Sequence, residues 1–181
     1  MTLVTFTKSK TLLFFPSFAI RSFCFFMGLL AWLSVLSAQA QTWSNSPGSG
    51  DWNTAANWSP AAIPNSTAAT AVFGASNTNS VSLSAPVTLD SALFNLGAPS
   101  YTITDNAVSL SFQGAGLLNS SGVAQTLVGT NSSVVNFYNS SAVSNVVIKS
   151  DDDVFFNDNS TAGNSNIYCT TLVRFFNQSS A

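Results

Sequence analysis

The sequence predicts an all-β protein, built as a β-solenoid of about five coils of about 19 residues each. A short phrase, an aromatic pair followed by Asn and later by small residues ending in Ala, occurs three times between residues 134 and 181. From residue 69 onwards, apolar and polar residues alternate in short runs, which indicates half-buried strands. No stretch beyond residue 40 repeats apolar residues at the helical period. These observations favour stacked β-coils over a helical fold.

Residues 1–40 have the pattern of a signal peptide. Three of the five basic residues lie in the first 21 positions, and an apolar run follows from Phe23 to Leu36. Small residues at Ala38 and Ala40 then predict a cut before Gln41. The alternative is an uncleaved anchor, but a membrane-spanning helix needs about 20 apolar residues, more than this run provides. We therefore predict an exported protein that meets the membrane only through this segment.

The charge balance excludes several kinds of partner. Only 7% of residues are charged, and the chain has no His and no Glu. Without residues 1–40, two bases remain against seven Asp, a net charge of about −5. Nucleic-acid binders need a basic stripe that replaces counterions on phosphates. We therefore expect no nucleic-acid partner. For an exported protein, the expected partners are surface glycans or other cell-surface proteins.

One cysteine would remain in the mature chain. Cys24 lies in the apolar run of the signal segment, so only Cys169 follows the predicted cut. A disulfide within the mature chain is therefore excluded. A single thiol at a strand position is expected to be a small buried apolar side chain.

A Trp-rich segment, residues 41–76, is predicted to form an N-terminal cap. Trp43, Trp52 and Trp58 are interleaved with Pro and Gly residues that favour turns, and a first strand is expected at 69–73. In one interpretation the three indoles are exposed and form a stacking platform for sugar rings, as in a carbohydrate-binding module. In the other they cover the open end of the array, which would otherwise expose its core and an unpaired strand. We favour the cap.

The same segment resembles a known family. The run GDWNTAANWSP at residues 50–60, followed by Ile63-Pro64 and by AVFG at residues 71–74, is similar to the N-terminal motif of bacterial autotransporter-associated β-strand-repeat proteins. The later segment Phe155–Ile167 resembles their repeat phrase. The likeness covers residues 41–181. It implies a right-handed parallel β-helix exported to the bacterial surface or outer membrane, and it implies no catalytic residues.

Residues 77–181 are predicted to form the coils. Weaker copies of the phrase occur at Phe94-Asn95 and Phe112-Gln113, so an amide follows an aromatic at similar intervals along the chain, with one longer interval between Gln113 and Asn139. The long interval predicts a loop insertion at Leu118–Val123. The alternative fold is a β-sandwich, which also uses short alternating strands. A sandwich does not require residue identity to recur with the coil length, whereas stacking aligns like residues.

Three vertical ladders follow from this alignment: inward aromatic rings, amides at a bend, and small residues at a tight corner. The predicted ladder residues are Phe137, Phe156 and Phe176; Asn139, Asn157 and Asn177; and Ala142, Ala162 and Ala181. The third copy stops before the strand expected after it. We therefore expect a C-terminally truncated array whose uncapped edge self-associates.

The sequence predicts no catalytic, cofactor-binding or metal-binding residues. Asp151-Asp152-Asp153 is the one cluster of charge, and three carboxylates suggest Ca²⁺, but their spacing fits neither an EF-hand loop nor the Gly-rich nonapeptide of calcium-binding β-rolls. A solvated turn between strands is the favoured interpretation. Polysaccharide lyases and hydrolases need paired carboxylates or an acid with a nearby base. The other four Asp residues are scattered at turn-like positions, so the sequence predicts no such catalytic pair.

The most specific functional hypothesis is an exported, non-enzymatic β-solenoid that serves as a surface stalk or adhesion-type passenger segment. The first alternative is a carbohydrate-binding module that uses the three tryptophans of residues 41–76. The second is a β-helical polysaccharide-degrading enzyme.

Overall fold

The computed structural model describes residues 39–181, so nearly all of the predicted signal peptide, Cys24 included, lies outside the described residues. Within them, fourteen strands and one 3₁₀ turn (Ala55–Asn57) are present, and no helix is long and apolar enough to cross a membrane. The strands are β1 Ala40–Trp43, β2 Trp58–Ser59, β3 Thr70–Phe73, β4 Ser80–Leu83, β5 Val87–Phe94, β6 Thr102–Asn106, β7 Ser109–Asn119, β8 Gln125–Thr130, β9 Val134–Phe137, β10 Ala142–Ser144, β11 Val146–Ser150, β12 Asp153–Phe156, β13 Asn166–Cys169 and β14 Val173–Phe175.

The strand order confirms the predicted β-solenoid. One sheet runs β13-β11-β8-β6-β4, with all neighbours parallel and one strand from each of five successive coils. The larger sheet runs β14-β12-β9-β7-β5-β3-β1-β2, with β10 beside β7. Among these strands only β1 and β2 pair in antiparallel fashion. The alternative fold, a β-sandwich, has antiparallel sheets and is therefore wrong.

The large sheet holds two separate ladders of stacked strands, because β5 and β7 each pair along both halves. Their first halves stack with β9, β12 and β14, and we call this the first ladder. Their second halves stack with β1, β3 and β10, which form the second ladder. A shift of register between Leu89 and Ser91 separates the two. The smaller sheet is the third ladder.

The core consists of columns of like side chains, one from each coil. In the first ladder the register aligns Leu89 with four phenylalanines: Phe112, Phe137, Phe156 and Phe175. Successive ring centroids of the four lie 5.1, 4.8 and 4.9 Å apart, with interplanar angles of 6°, 10° and 10°. This spacing matches that of neighbouring strands, so each ring lies on the ring of the coil before it. Each fully buried Phe contributes about 1.5–3 kcal/mol.

The predicted aromatic ladder needs one correction. Phe137 and Phe156 are in register as expected, but Phe156 pairs with Phe175 rather than with Phe176. The Phe176 ring instead lies edge-on to Phe155, with the centroids 6.0 Å apart. In a strand a shift by one residue turns a side chain to the other face. The sequence alone does not show which of the two adjacent rings, Phe175 or Phe176, faces inward. In the structure it is Phe175, so that Phe137, Phe156 and Phe175 are equally spaced along the chain.

The amide ladder is corrected in the same way. Asn139, Asp158 and Asn177 share a left-handed backbone conformation, with φ of 56°, 58° and 56°, and each lies two residues after a stacked Phe. Asn157, which the sequence placed in this ladder, precedes the left-handed position. Asn and Asp tolerate this conformation better than other residues with side chains. The residues of this ladder therefore share a backbone conformation rather than an amide side chain, and both Asn and Asp can adopt that conformation.

The small-residue corner is held by serines. Ala142 pairs with Thr161 and Thr161 with Ser180, so Ala142, Ala162 and Ala181 are not equivalent. One position before this bridged set, Ser141, Ser160 and Ser179 recur at the same spacing as the stacked phenylalanines. The hydroxyls of Ser141 and Ser179 donate to carbonyl oxygens three residues earlier in the same coil, at 2.6 and 2.7 Å. The carbonyl oxygens of Phe112, Phe137 and Phe156 in the preceding coils lie 3.1, 3.3 and 3.0 Å from the three hydroxyls. The serines therefore close the corner of their own coil and also contact the coil before it.

The weaker copy of the phrase at Phe94-Asn95 belongs to a different ladder. Phe94 is in register with Phe73 of β3, and their rings stack 5.0 Å apart. In the next coil its partner is Asn119, so this second aromatic column ends there. The expected insertion at Leu118–Val123 is only partly a loop, because Leu118 and Asn119 still belong to β7.

Candidate functional site

The three tryptophans of the N-terminal segment are buried. Trp43, Trp52 and Trp58 expose 0%, 1% and 3% of their surface. Their indole N–H groups donate to backbone carbonyls of Thr78, Pro64 and Trp52 at 2.9, 3.2 and 2.7 Å. Their faces are not available to a sugar ring, so the alternative interpretation of these residues as a glycan platform does not fit the structure.

The tryptophans pack around Phe73 at the first end of the coils. The Trp52 and Trp58 ring centroids each lie 5.6 Å from that of Phe73. The short strand β2 lies antiparallel on β1 at the edge of the large sheet. In the third ladder, backbone groups of Gly50 and Trp52 bond to Ser82 of β4 at 2.8 Å. The segment therefore covers the first strands of two ladders, and β3 within it already belongs to the stack.

Two of the three clustered aspartates lie in a turn, as the sequence predicted. Asp151 and Asp152 connect β11 to β12, whereas Asp153 is the first residue of β12. The Asp152 carboxylate accepts the backbone N–H groups of Ser132 and Ser133, at 2.6 and 3.2 Å. Ser132 has a φ of 66°, so Asp152 stabilises a left-handed turn of the preceding coil. Within residues 39–181, no three acidic, His or Cys side chains are grouped as metal ligands.

Asp105 is the most unusual ionisable residue of the third ladder. Its register column is Leu83, Asp105, Gly129, Ser150 and Cys169. Asp105 is fully buried, and neither carboxylate oxygen makes a hydrogen bond of normal geometry to a group within residues 39–181. Burial, and to a smaller extent the negative charge of Asp152, raises the pKa of Asp105 to about 7, although the nearby backbone N–H of Val108 opposes the shift.

The position beside Asp105 in the register has little free space around it. A Cβ atom at position 129 would lie 2.7 Å from the hydroxyl oxygens of both Ser133 and Ser150. The Ser133 hydroxyl is buried and has no hydrogen-bond partner among the described residues. The interior of the third ladder therefore contains a small polar cluster beside its apolar columns. Because Asp105 has no exposed surface, it does not contact a substrate in this structure.

Cys169 ends the same column and is half-buried rather than buried. Its thiol lies 3.0 Å from the carbonyl oxygen of Asp152, to which it donates. The predicted role as a packed side chain fits its contact with the edge of the core.

A groove of about 580 Å³ opens at the corner between the second and third ladders. Three asparagines of successive coils, Asn119, Asn145 and Asn164, lie along it. The Asn119 amide donates to the carbonyl oxygen of Asn145 at 2.7 Å, and the Asn164 side-chain oxygen accepts the Asn145 backbone N–H at 3.0 Å. The Asn164 amide also donates to the side-chain oxygen of Asn145. These bonds fix the planes of all three amides.

The groove continues onto the outer face of the third ladder. Val147 of β11 lines the groove and also a second depression of about 710 Å³. Val147 is in register with Asn166 of β13, and Lys149 is in register with Tyr168. Tyr168 lines the second depression and is 63% exposed, the most exposed aromatic ring of the described chain. We call the surface formed by Asn145, Asn164, Asn166, Val147 and Tyr168 the amide–tyrosine face.

Comparison with known proteins gives no relative. No protein-family model matches the chain, and no curated protein and no solved structure matches it. The class that the fold defines is a parallel β-solenoid of about five coils. The resemblance of residues 41–181 to autotransporter-associated repeats stays a prediction.

Several structural features that were not predicted nevertheless have a signal in the sequence. One constant spacing links Phe137, Phe156 and Phe175, together with the Asn/Asp and Ser residues two and four positions later. Strict alternation in β6 would have placed Asp105 on the same side as Ile103, inside the coil. The same rule places Tyr168 opposite Ile167, outside. Among the corner asparagines, Asn145 and Asn164 share this spacing of 19 residues, whereas Asn119 precedes Asn145 by 26 residues and has no such signal.

Proposed function

We propose that the chain is an exported, non-enzymatic β-solenoid that serves as a stalk or adhesion-type passenger segment on the surface of a bacterium. One observation supports this most: the coils form an uninterrupted parallel stack in which phenylalanines align from coil to coil. Such a stack is a rod that presents the same kind of surface along its length. The signal-peptide pattern of residues 1–40 supports export.

The outer surface supports a contact role. The outward positions of the first three strands of the third ladder are short neutral side chains, namely Ser80, Ser82, Thr102, Thr104, Thr126 and Val128. These side chains lose little conformational entropy when they are covered. With few charges nearby, contacts on this face would depend weakly on salt.

A carbohydrate-binding role is the second candidate, on a different surface from the one expected. The tryptophans are internal, whereas the amide–tyrosine face carries an exposed ring and fixed amides. A polysaccharide-degrading enzyme has weaker support, because the one carboxyl with a strongly raised pKa, Asp105, is fully buried.

The proposal is tested by export. The full chain fused before a C-terminal reporter that is active only outside the cytoplasm should give activity in a bacterial host, and N-terminal sequencing of the product should begin at Gln41. A matched variant with Leu29→Arg and Leu30→Arg interrupts the apolar run and should abolish reporter activity. Equal activity from both chains, or a product that stays in the cytoplasm, contradicts the proposal.

A reducing-sugar assay on the purified protein tests the non-enzymatic part. No release of reducing ends is expected from pectin, xylan or β-glucan. Activity that survives in a chain without residues 1–40 and disappears in Asp151→Asn or Asp152→Asn would show that the protein is an enzyme, and would contradict the non-enzymatic proposal.

A further inference from the structure

We propose that the amide–tyrosine face is a binding site for a neutral oligosaccharide. The inference rests on the proposed function, since it names the class of ligand that an adhesion-type segment would hold. It assigns the contact to one surface, formed by β11, β13 and the corner that precedes them.

The amide corner supplies directional hydrogen bonds. Each Asn side chain carries two N–H donors and an oxygen with two acceptor positions. The intercoil bonds of Asn145 and Asn164 use only part of this capacity, and fix the rest in position. The Asn145 amide N–H groups make only a long contact of 3.5 Å to the Ser144 hydroxyl. Fixed amides with free donors and acceptors suit hydroxyl groups, which are donors and acceptors themselves.

The lining of the corner groove selects a neutral ligand. Its residues are asparagines, Ser120, Gly122, Ala124 and three valines, and none is ionisable. A charged group that enters it would lose hydration without meeting an opposite charge. Val123, which is 46% exposed, offers an apolar wall on the same groove. The lining therefore combines amides with aliphatic surface, which matches the hydroxyl edges and C–H faces of a sugar.

Tyr168 supplies a stacking surface beyond the groove. Its ring is 63% exposed on the outer face of β13, two residues after Asn166. Lys149 and Asp151, which line the depression around it, carry opposite charges, so the local net charge is zero. Asn164 lines only the corner groove and Tyr168 only the second depression, and Val147 is the one residue that lines both. A ligand that contacts both Asn164 and Tyr168 must therefore extend across two depressions, which favours an oligosaccharide over a monosaccharide.

The test is affinity electrophoresis of the full chain in native gels that contain mannan, dextran, xylan or mixed-linkage β-glucan, with polygalacturonate as an acidic comparison. Retardation is expected in at least one neutral polymer. Tyr168→Ala should weaken binding by about tenfold, and Tyr168→Phe should retain it because the ring remains. Asn166→Ala should also weaken binding. Both positions are exposed, and circular dichroism melting checks that the variants fold.

The matched control is Asn106→Ala. The exposed Asn106 side-chain oxygen accepts the Asn131 amide at 2.7 Å, at another corner, and Asn106 lines neither depression. This variant should bind as the unchanged chain does. The inference is overturned if no neutral polymer retards the chain, if polygalacturonate alone does, or if Asn106→Ala weakens binding as much as Tyr168→Ala.

The two proposals fail separately. A chain that is exported but that no neutral polymer retards keeps the stalk function and loses this binding site. A chain that binds a neutral polymer but stays in the cytoplasm keeps the binding site and loses the surface function.

Discussion

At the residue scale, Asp105 makes the fold sensitive to pH in the direction opposite to most acids. Its pKa rises to about 7 in the folded chain, from an ordinary value of 3.8. Between these values the folded chain holds a proton that the unfolded chain has released. The contribution of Asp105 to the unfolding free energy is therefore greatest below about pH 4, and it decreases as the pH rises towards 7.

We predict that Asp105→Asn removes this dependence. The unchanged chain should lose up to about 1.4 kcal/mol of unfolding free energy per pH unit between about pH 4 and 7 from this residue. The variant should be the more stable at pH 8. Chemical denaturation at pH 4, 6 and 8 measures this, with the exposed Asp151→Asn as the control for loss of one charge. A variant with the same pH slope as the unchanged chain contradicts the prediction.

The left-handed corner provides a second prediction at this scale. Asp158 has a φ of 58°, and its carboxylate accepts the Asn139 backbone N–H at 3.0 Å. Asp158→Ala should cost about 1–2 kcal/mol more than Asn157→Ala, since alanine adopts this conformation poorly. Asp158→Asn should cost far less than Asp158→Ala. Thermal melts of the three variants check the register, and an Asn157→Ala variant as unstable as Asp158→Ala would refute it.

At the element scale, the close approach of β7 to β10 depends on a glycine. Gly116 has a φ of 94°, and an added Cβ would collide with the backbone nitrogen and oxygen of Ala142. Gly122 has a φ of 86°, but nothing lies within 4 Å of its Cβ position. Both positions are strained for alanine, and only the first is also crowded.

Gly116→Ala should therefore destabilise the protein by about 1–3 kcal/mol more than Gly122→Ala, the usual cost of overpacking. Denaturant titration of the two variants measures the difference directly. Equal stabilities would mean that β10 does not pair with β7 in solution.

At the scale of the whole molecule, the coils stack in one dimension, and each contacts mainly its neighbours. The three tryptophans of residues 41–181 all lie at the first end, packed around Phe73. The Phe stack of the first ladder extends towards the other end, where Phe156 lies under Phe175. Tryptophan emission therefore reports on the first end of the rod, whereas circular dichroism reports on all of the coils.

We predict that Phe156→Ala separates these two signals in a chain without residues 1–40. The substitution should cost about 3–5 kcal/mol, mainly in the last coils. Circular dichroism should then lose amplitude at a lower temperature than tryptophan emission shifts. In a matched Phe73→Ala variant the order should reverse. Coincident transitions in both variants would show that the solenoid unfolds as one cooperative unit.

Much of the fold could be predicted from the sequence, because alternation and repetition are local properties of the chain. They indicated strands, a regular coil length and stacking rather than a sandwich, and the sheets confirm the stacked coils. They also placed Asp151 and Asp152 correctly in a turn, but Asp153 already belongs to β12. Of the amide–tyrosine face, alternation predicts the outward direction of Asn166 and Tyr168, and the repeat spacing predicts the alignment of Asn145 with Asn164.

The sequence by itself determined the architecture, because strand alternation and a fixed repeat need no knowledge of distant residues. The tertiary structure alone decided which member of each aromatic pair joins the stacked column, since Phe175 and Phe176 differ only in their alignment with Phe156. It also decided that the tryptophans are internal and that Asp105 is enclosed. Burial depends on the coils above and below a residue, and their alignment is set by the lengths of the intervening turns.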